Sequence, residues 1–432
     1  MTRTIDFVAD ALGIAAGLVF AALLVVLLVR YFGEALCPAW PGLDFFSLPR
    51  RRQARPKFSV GQAILLSGIA FLVSRLFFVA LAAVAAWWNG ELTAYLCNLP
   101  VRWRRWDAYH YVGLMENWYV NEGDPRYHIV FFPLYPLLGR ALYLLGIPSL
   151  AAAYLVSCGC LIGAGVALYF LLQIDQGHSA AIRAVWLMML CPVSFFFSAP
   201  FTESTFLFTT LMAVLLARKK RFFWAVVFGA LSANCRSLGM ATAIPIFWEM
   251  LRDMRQRHSS RREIALGTVL CVAKVLPVSL GLAAYLALNQ QITGSAWTFL
   301  TYQSQHWGQE FGSAMNTISY TLKNAVSYAD VHYRMGVWTP QIVSIALVMA
   351  LLVATWRRLH PGDAAYALVY FYCAIAPTWL LSGARYLGAM YALYPMLTLI
   401  TRKKWQFTLV LTIEIILGAY MSILYVITGA VM

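Results

Sequence analysis

The residues of this chain that could carry chemistry lie in short polar stretches between long apolar ones. Asp107 stands among tryptophans and arginines, and a carboxylate in such a place can take a proton from a hydroxyl group. Arg236 and Arg385 lie in two other polar stretches, far apart in the sequence. Two planar guanidinium groups can grip a phosphate and stabilise the charge that develops as it leaves. One acid and two arginines would therefore suit the transfer of a group from a phosphorylated lipid.

Each of these residues also has a structural interpretation. Asp107 could serve only as the ion-pair partner of the arginines beside it. Glu203 stands at the start of an apolar segment, where a carboxylate can cap a helix. Arg385 could anchor a helix at the lipid headgroups. The same role suits Arg236 less well, because its flanks are short and apolar and a buried arginine needs an anion.

The composition indicates a membrane protein. Hydrophobic residues make up 61% of the 432 residues and charged residues 12%, and the mean hydropathy is +0.68. A soluble domain is about 45–50% apolar and about 25% charged, so a soluble fold and a disordered chain are both excluded. The net charge of +15 reflects the Lys and Arg that collect in cytoplasmic loops, and no nucleic-acid partner is expected.

Hydropathy predicts an all-α, polytopic bundle of about 11–12 transmembrane helices. The predicted crossings are residues 8–30, 60–88, 149–172, 180–199, 203–217, 264–289, 338–356, 364–381, 384–400 and 406–430, with a short pair at 222–234 and 238–251. The basic clusters then all fall on one side, the cytoplasm, if the amino terminus lies outside. We divide the chain into a leading helix with a basic segment, 1–58, and a catalytic domain, 59–432.

Two large loops are predicted on the external side, residues 89–148 and 290–337. Within the first, residues 131–147 are apolar, but a crossing there would invert the later basic clusters. We therefore expect an external interfacial or re-entrant helix. The second loop holds three weaker candidates, for which a solvated surface is the simpler interpretation: His306, Trp307 and Arg334.

The cysteines and histidines do not predict a metal site. None of them is spaced as zinc ligands are. Most of the eight cysteines lie in apolar segments, where Cys acts as a small hydrophobe, and Cys37 and Cys97 fall on opposite sides of the predicted membrane. No Asn-x-Ser/Thr sequon occurs in the chain, which favours a bacterial protein.

Four ordered sequence blocks resemble those of a known family. They are residues 105–111 (Arg-Trp-Asp-Ala-Tyr-His-Tyr), 131–136 (Phe-Phe-Pro-Leu-Tyr-Pro), 192–198 with Glu203 and Ser204, and 236–239 (Arg-Ser-Leu-Gly). The chain resembles the PIG-V family, the second mannosyltransferases of GPI-anchor assembly and their bacterial relatives, which are GT-C-type glycosyltransferases. The chain departs from the family pattern at Cys191 in place of Asn, at Phe201 in place of Tyr, at residues 117–119 (Asn-Trp-Tyr) where Gly-Tyr is common, and in the added residues 1–58. These departures leave the sugar and the acceptor open.

The resemblance implies a GT-C-type transmembrane bundle with an inverting, metal-independent transferase activity. It implies a polyprenyl- or dolichyl-phosphate sugar as donor substrate, with mannose as the sugar, and no separate cofactor. The acceptor would be a hydroxyl group of a lipid or glycan at the external face of a bacterial cytoplasmic membrane. In such enzymes the acid of the first external loop lies at the active site, and here that acid is Asp107.

We expect the site residues to divide the work in the following way. Asp107 acts as the catalytic base on the acceptor hydroxyl, and Arg236 and Arg385 bind the donor phosphate. The residues expected to position the sugar or the acceptor are Trp106, His110, Tyr111, Glu203 and Tyr386.

Two other functions stay open at the level of the sequence. A transporter or flippase for a lipid phosphate or lipid-linked sugar would also need external arginines. It predicts functional charges on both membrane faces, or at the midplane between internal repeats. The sequence has no clear internal repeat, and its unusual charges favour one face. The third possibility is an inactive homologue that scaffolds partner enzymes.

Overall fold

The computed structural model of the chain describes residues 2–37, 40, 42–46, 57–257, 260–378 and 380–431. In these ranges the structure is all-helical, apart from one isolated bridge between Phe311 and Pro377. The first eleven α-helices are α1 (Thr2–Leu36), α2 (Leu43–Phe46), α3 (Val60–Trp88), α4 (Leu92–Cys97), α5 (Leu99–Arg102), α6 (Asp107–Asn117), α7 (Leu134–Leu144), α8 (Ser149–Asp175), α9 (His178–Leu190), α10 (Glu203–Arg218) and α11 (Phe222–Cys235). The next eleven are α12 (Ala243–Arg257), α13 (Arg261–Val275), α14 (Leu280–Thr293), α15 (Thr298–Gln305), α16 (Ala314–Ser327), α17 (Val331–Tyr333), α18 (Thr339–Thr355), α19 (Pro361–Ile375), α20 (Gly383–Gly388), α21 (Leu393–Ile400) and α22 (Lys404–Ile427). The predicted all-α class is confirmed.

Six helical segments among the described residues are long and apolar enough to cross a membrane, since a crossing takes about 20 residues. They are Ile5–Leu36, Val60–Trp88, Ser149–Asp175, Arg261–Thr293, Val331–Thr355 and Lys404–Ile427. The second begins at a capping box, in which Ser59 and Gln62 satisfy each other's backbone amides. These six segments fit a multi-pass membrane protein.

The other apolar segments form three consecutive pairs of helices that are each shorter than a membrane crossing, and we call each pair, with the break that joins its helices, a hairpin. The first hairpin is α9 and α10, the second is α11 and α12, and the third runs from α19 through α20 to α21. Their longer helices have 13 to 16 residues and α21 has 8. A 16-residue helix spans only about 24 Å, which is less than the about 30 Å of hydrocarbon in a bilayer.

The breaks at the hairpin tips change the prediction made from hydropathy. Four segments were expected to be full crossings, namely 180–199, 203–217, 364–381 and 384–400. The helices stop at residues 190 and 375 and resume at 203 and 383. Pro192, Pro200 and Pro377 lie in the two breaks and cannot donate a backbone hydrogen bond, so a regular helix ends there.

One end of the bundle carries the basic clusters, and we call it the basic face. Arg218, at the end of α10, lies 3.3 Å from Asp175, 2.7 Å from Asp363 and 3.0 Å from Glu249. Those acids belong to the end of α8, the start of α19 and α12, so each hairpin contributes to this one face. Four arginines of the early basic cluster lie outside the described residues: Arg50, Arg51, Arg52 and Arg55.

The two long loops at the opposite end contain short helices. In the first loop, the expected interfacial segment 131–147 forms α7, whose 11 residues are too few to cross. In the second loop, α15 and α16 lie between two of the long spans, and α16 packs along α1. Asp10 of α1 accepts hydrogen bonds from Ser319 at 2.5 Å and Lys323 at 3.2 Å.

The leading helix α1 is packed into the main core of the bundle. Phe20, Leu23 and Leu27 belong to the same buried cluster as the hairpins. Arg30 donates a hydrogen bond to the Leu359 carbonyl at 2.6 Å, which ties α1 to the turn before α19. The domain boundary at residue 58 stays a prediction.

Candidate active site

Four charged side chains from separate parts of the chain meet near the tips of the hairpins. Arg385 Nη2 donates a hydrogen bond to Asp107 Oδ2 at 2.8 Å, and Arg385 Nε lies 2.8 Å from Glu203 Oε1. Arg236 Nη2 donates to the same Glu203 oxygen. The structure thus brings the predicted acid and both predicted arginines together, with Glu203 as the common counter-ion. We call these four residues the charged cluster.

Exposure varies steadily along the charged cluster. The Glu203 side chain is 0% exposed, that of Arg385 3%, that of Arg236 12% and that of Asp107 28%. Buried charges of opposite sign compensate each other's loss of hydration. Asp107 lies at the accessible end, so it is the member of the cluster that an incoming molecule meets first.

The charged cluster lies deep in the bundle because each hairpin tip presents one member. Glu203 begins α10 and Arg236 ends α11, while Arg385 lies in the short helix α20. The length of α10 places Glu203 about 24 Å from the basic face. Unwound backbone at that depth is tolerated where it lines a cavity or packs against protein.

Two residues hold the hairpin tips together. A Cβ atom on Gly239 would lie 2.2 Å from the backbone carbon and oxygen of Ser232, so only glycine lets the second tip close onto α11. Arg75, in the middle of α3, donates to the Met189 carbonyl at 2.7 Å and to Ser194 and Ser198 side chains. It satisfies polar groups at the first break. Arg75 was not predicted as a site residue, although a lone arginine within an apolar span indicates a buried polar partner.

The backbone before Asp107 is strained. Trp106 has φ 53° and ψ −129°, in a region that residues with a side chain rarely adopt. Its indole Nε1 is buried and has no hydrogen-bond partner among the described residues. Such strain is characteristic of functional sites, and the indole offers a free donor beside the charged cluster. The role expected for Trp106, to position a sugar or an acceptor, stays a prediction.

An aromatic wall flanks Asp107 on its helix. His110 stacks on Phe131 with ring centroids 5.1 Å apart and meets Trp307 edge-on at 5.4 Å. Its Nδ1 lies 3.0 Å from His128 Nε2. His128 was not predicted as a site residue, because only the turn at residues 118–123 brings it back onto α6. The second loop also contributes to this wall through Trp307. That side chain was expected to be solvated, but it packs against His110.

The remaining predicted residues pack around the same centre. The Tyr111 ring is buried against Phe131 and Tyr135, at centroid distances of 5.0 and 5.3 Å. Tyr386 lies under both guanidinium groups, 4.9 Å from that of Arg236 and 5.5 Å from that of Arg385. Arg334, the other weak candidate of the second loop, is not among the contacts of the charged cluster.

Three polar atoms of the charged cluster are buried without a hydrogen bond among the described residues. They are Arg236 Nη1, Glu203 Oε2 and Arg385 Nε, the last of which makes only an ion-pair contact with Glu203. Buried polar groups are nearly always paired in proteins, so these atoms mark where a polar ligand can complete the site. An anion suits Arg236 Nη1 and a hydroxyl group suits Glu203 Oε2.

Comparison with known protein families, curated proteins and solved structures finds no match for this chain. The candidate site therefore rests on its geometry. Among the described residues, no three His, Cys, Asp or Glu side chains lie together as metal ligands do. The expectation of a reaction without metal or cofactor stays a prediction.

An apolar cavity of about 260 Å³ adjoins the first hairpin tip. It lies between α3, α8 and the break at residues 194–199, and its walls include Phe71, Val79, Trp103 and Phe195. Among the described residues that line it, Arg75 alone is charged, and its guanidinium group is hydrogen-bonded to the break. The cavity suits a hydrocarbon chain next to the charged cluster.

The paired imidazoles predict a pH dependence of stability. Burial, with His110 adding to it, lowers the pKa of His128 to about 4, and burial also lowers the pKa of His110. The ordinary histidine pKa is 6.5, so between these values the unfolded chain binds more protons than the folded one. The contribution of the two histidines to the free energy of unfolding should therefore be largest above about pH 6.5 and should decrease as the pH falls toward 4.

We expect His128→Gln to flatten that dependence. The loss of unfolding free energy between about pH 7 and 4.5 should shrink by on the order of 1 kcal/mol, since partial exposure screens the effect. Thermal unfolding in detergent across this range measures it, with the exposed His332→Gln as the matched control. Equal pH slopes in wild type and His128→Gln would show that the pair does not titrate as described.

Proposed function

We propose that this protein is an inverting glycosyltransferase of GT-C type that uses a polyprenyl-phosphate-linked sugar, with mannose as the sugar. The acceptor is a hydroxyl group of a lipid or glycan, and the site opens to the extracytoplasmic side of a bacterial cytoplasmic membrane. The observation that carries the proposal is the meeting of Asp107 with Arg236 and Arg385 through Glu203. The four family-like sequence blocks support the same conclusion, because each supplies a residue at or beside this cluster.

The two arginines suit the phosphate of the donor. Arg236 has an unpaired Nη1, and both guanidinium groups lie within reach of one carboxylate oxygen of Glu203. A phosphate bound between them would gain charge-assisted hydrogen bonds from fixed, planar donors. It would also draw Arg385 away from Asp107, which frees that carboxylate for the acceptor.

The reaction then balances in one displacement. The acceptor oxygen attacks the anomeric carbon from the side opposite the phosphate, and its proton passes to Asp107. The bond from the anomeric carbon to the phosphate oxygen breaks, and the phosphate keeps the electron pair as a polyprenyl phosphate monoester. The arginines stabilise the negative charge that develops on this phosphate in the transition state. Stabilising such charge with pre-organised donors is usually the largest single contribution to catalysis.

Other features accommodate the rest of the substrate. The apolar cavity beside the first tip suits part of the polyprenyl chain. The indole of Trp106, the second Glu203 oxygen and the His110 ring supply polar and aromatic groups of the kind that bind sugars. These groups flank Asp107, where the sugar and acceptor would meet.

Product analysis tests the proposal. Purified protein in detergent is incubated with polyprenyl-phosphate mannose and a panel of lipid and glycan acceptors. We expect free polyprenyl phosphate to form together with a glycoside of inverted configuration. Retained configuration, or binding of the donor without any transfer to the panel, would contradict the proposed reaction and favour a non-catalytic protein.

Arg236→Lys tests the grip on the phosphate. Lysine keeps the charge and loses the planar fork, so we expect KM for the donor to rise by roughly tenfold or more. The matched control is Arg221→Lys on the basic face. An unchanged KM in the Arg236 variant would mean that no two-pronged phosphate contact is made there.

Transport of a lipid phosphate is a second candidate, and one observation favours it. A transporter needs phosphate-binding groups on both faces, and the basic face also has an arginine-lined cavity, formed in part by Arg183, Arg358 and Arg402. Vesicles with reconstituted protein separate the two functions. A transporter moves intact donor between leaflets and releases no free polyprenyl phosphate, whereas a transferase releases it.

A further inference from the structure

A cavity of about 640 Å³ opens at the basic face, at the opposite end of α8 and α10 from the charged cluster. Its walls come from the turn between α8 and α9, the turn between α18 and α19, and the end of α21. Three arginines from these elements line it, namely Arg183, Arg358 and Arg402. Among the described residues, none of the three arginines forms an ion pair with an acid, although Asp175 and Asp363 line the same cavity.

The carboxylates that line the same cavity are already engaged. Asp175 and Asp363 lie 3.3 and 2.7 Å from the buried Arg218. Beneath them, Glu249 lies 3.0 Å from Arg218 and 3.1 Å from His360 Nε2. Three acids thus surround one guanidinium group at the floor of the cavity, while three arginines form its rim.

The remaining lining sets the size and polarity of a ligand. Arg183 is anchored on Ser179 at 2.9 Å, while its Nε is buried without a hydrogen bond among the described residues. Thr398 and Gln176 add hydroxyl and amide groups, and Leu399 adds apolar surface. The volume falls in the range of small-molecule sites, about 300–1,000 Å³, and is far larger than a lone phosphate needs.

We propose that this cavity binds a phosphate ester of a polyol, with the three arginines on the phosphate and the floor residues on the hydroxyl groups. Arginine is the side chain best suited to phosphate oxygens. The ligand has two possible sources, the headgroup of an anionic lipid or a soluble phosphorylated polyol. Basic pockets between helix ends at a membrane surface bind phospholipid headgroups in other proteins. The site is separate from the proposed donor site, which lies about 24 Å away along α10.

The test compares two probes that share one headgroup. Phosphatidylinositol and myo-inositol 1-phosphate are titrated against the purified full chain in an uncharged detergent, with binding followed by thermophoresis. We expect saturable binding of at least one probe. Binding of the lipid alone assigns the site to a membrane lipid, while similar binding of both assigns it to a soluble ligand. Absence of saturable binding by both probes would overturn the proposal.

Variants locate the binding. Replacing Arg183, Arg358 and Arg402 together by Gln should raise the Kd of the probe that binds by roughly tenfold or more. The matched control replaces three basic-face arginines outside the cavity, Arg221, Arg261 and Arg262. Equal weakening in both triple variants would overturn the site in favour of diffuse charge. The single variant Arg358→Glu, at an exposed position, gives the same readout if the triple variant folds poorly, and neither result depends on transferase activity.

Discussion

Asp107→Asn is expected to lower turnover of a polyprenyl-phosphate sugar by about 10²–10⁴-fold, the usual contribution of a general base. The amide has the shape of the carboxylate but cannot take the acceptor proton. Donor affinity should be kept or improved, because Arg385 loses its 2.8 Å ion pair with Asp107 and becomes free for the phosphate. The expected signature is therefore a fall in kcat without a rise in KM for the donor.

The measurement is single-turnover and steady-state transfer with the purified variant. Asp124→Asn is the matched control, since Asp124 lies in the same loop and is exposed. Thermal unfolding verifies that each variant is folded. Near wild-type kcat in folded Asp107→Asn would contradict the assignment of Asp107 as the base, and a rise in KM alone would make it a binding residue.

Glu203→Gln is expected to cause the largest loss of stability. Glu203 is fully buried and is the shared counter-ion of Arg236 and Arg385. The amide has nearly the same volume, so the change removes charge and leaves little cavity. Breaking a buried ion pair by removing one partner costs about 3–5 kcal/mol, because the other charge stays buried and uncompensated.

The apparent free energy of unfolding in detergent, from titration with a denaturing detergent, measures this loss. The exposed Glu122→Gln serves as the control and should change stability by less than about 0.5 kcal/mol. Polyprenyl phosphate should stabilise Glu203→Gln more than it stabilises wild type, because the arginines then lack an anion. An unfolding free energy equal to that of wild type would mean that Glu203 is not the counter-ion.

The cost of Glu203→Gln also explains why these charges lie at the tips of short helices. A complete span would place an arginine on a helix with all its backbone groups paired and no close acid. The breaks instead bring three chain segments close enough for Arg385 to contact both Asp107 and Glu203. The buried charges and the irregular backbone of the hairpins thus support each other.

Local composition was enough to predict several features of this protein. The all-α class followed from apolar length, because about 20 apolar residues are satisfied only as a helix in lipid. The prediction that residues 131–147 do not form a full span came from the side on which the later basic clusters must lie, and α7 has only 11 residues. Arg236 could be chosen because a buried arginine is costly and needs an anion, and Asp107 because it is an acid set among tryptophans and arginines.

Other features depended on distances that no local pattern encodes. Hydropathy does not separate a complete span from half of a hairpin, since both are apolar and the difference lies in where the backbone breaks. Contacts such as His110 with His128, or Arg75 with the first break, join parts of the chain that only packing brings together. The sequence alone determined which groups were available and that they belong in a membrane. The tertiary structure decided their pairing, because ion pairs and hydrogen bonds act over a few ångströms while these residues lie up to 278 positions apart.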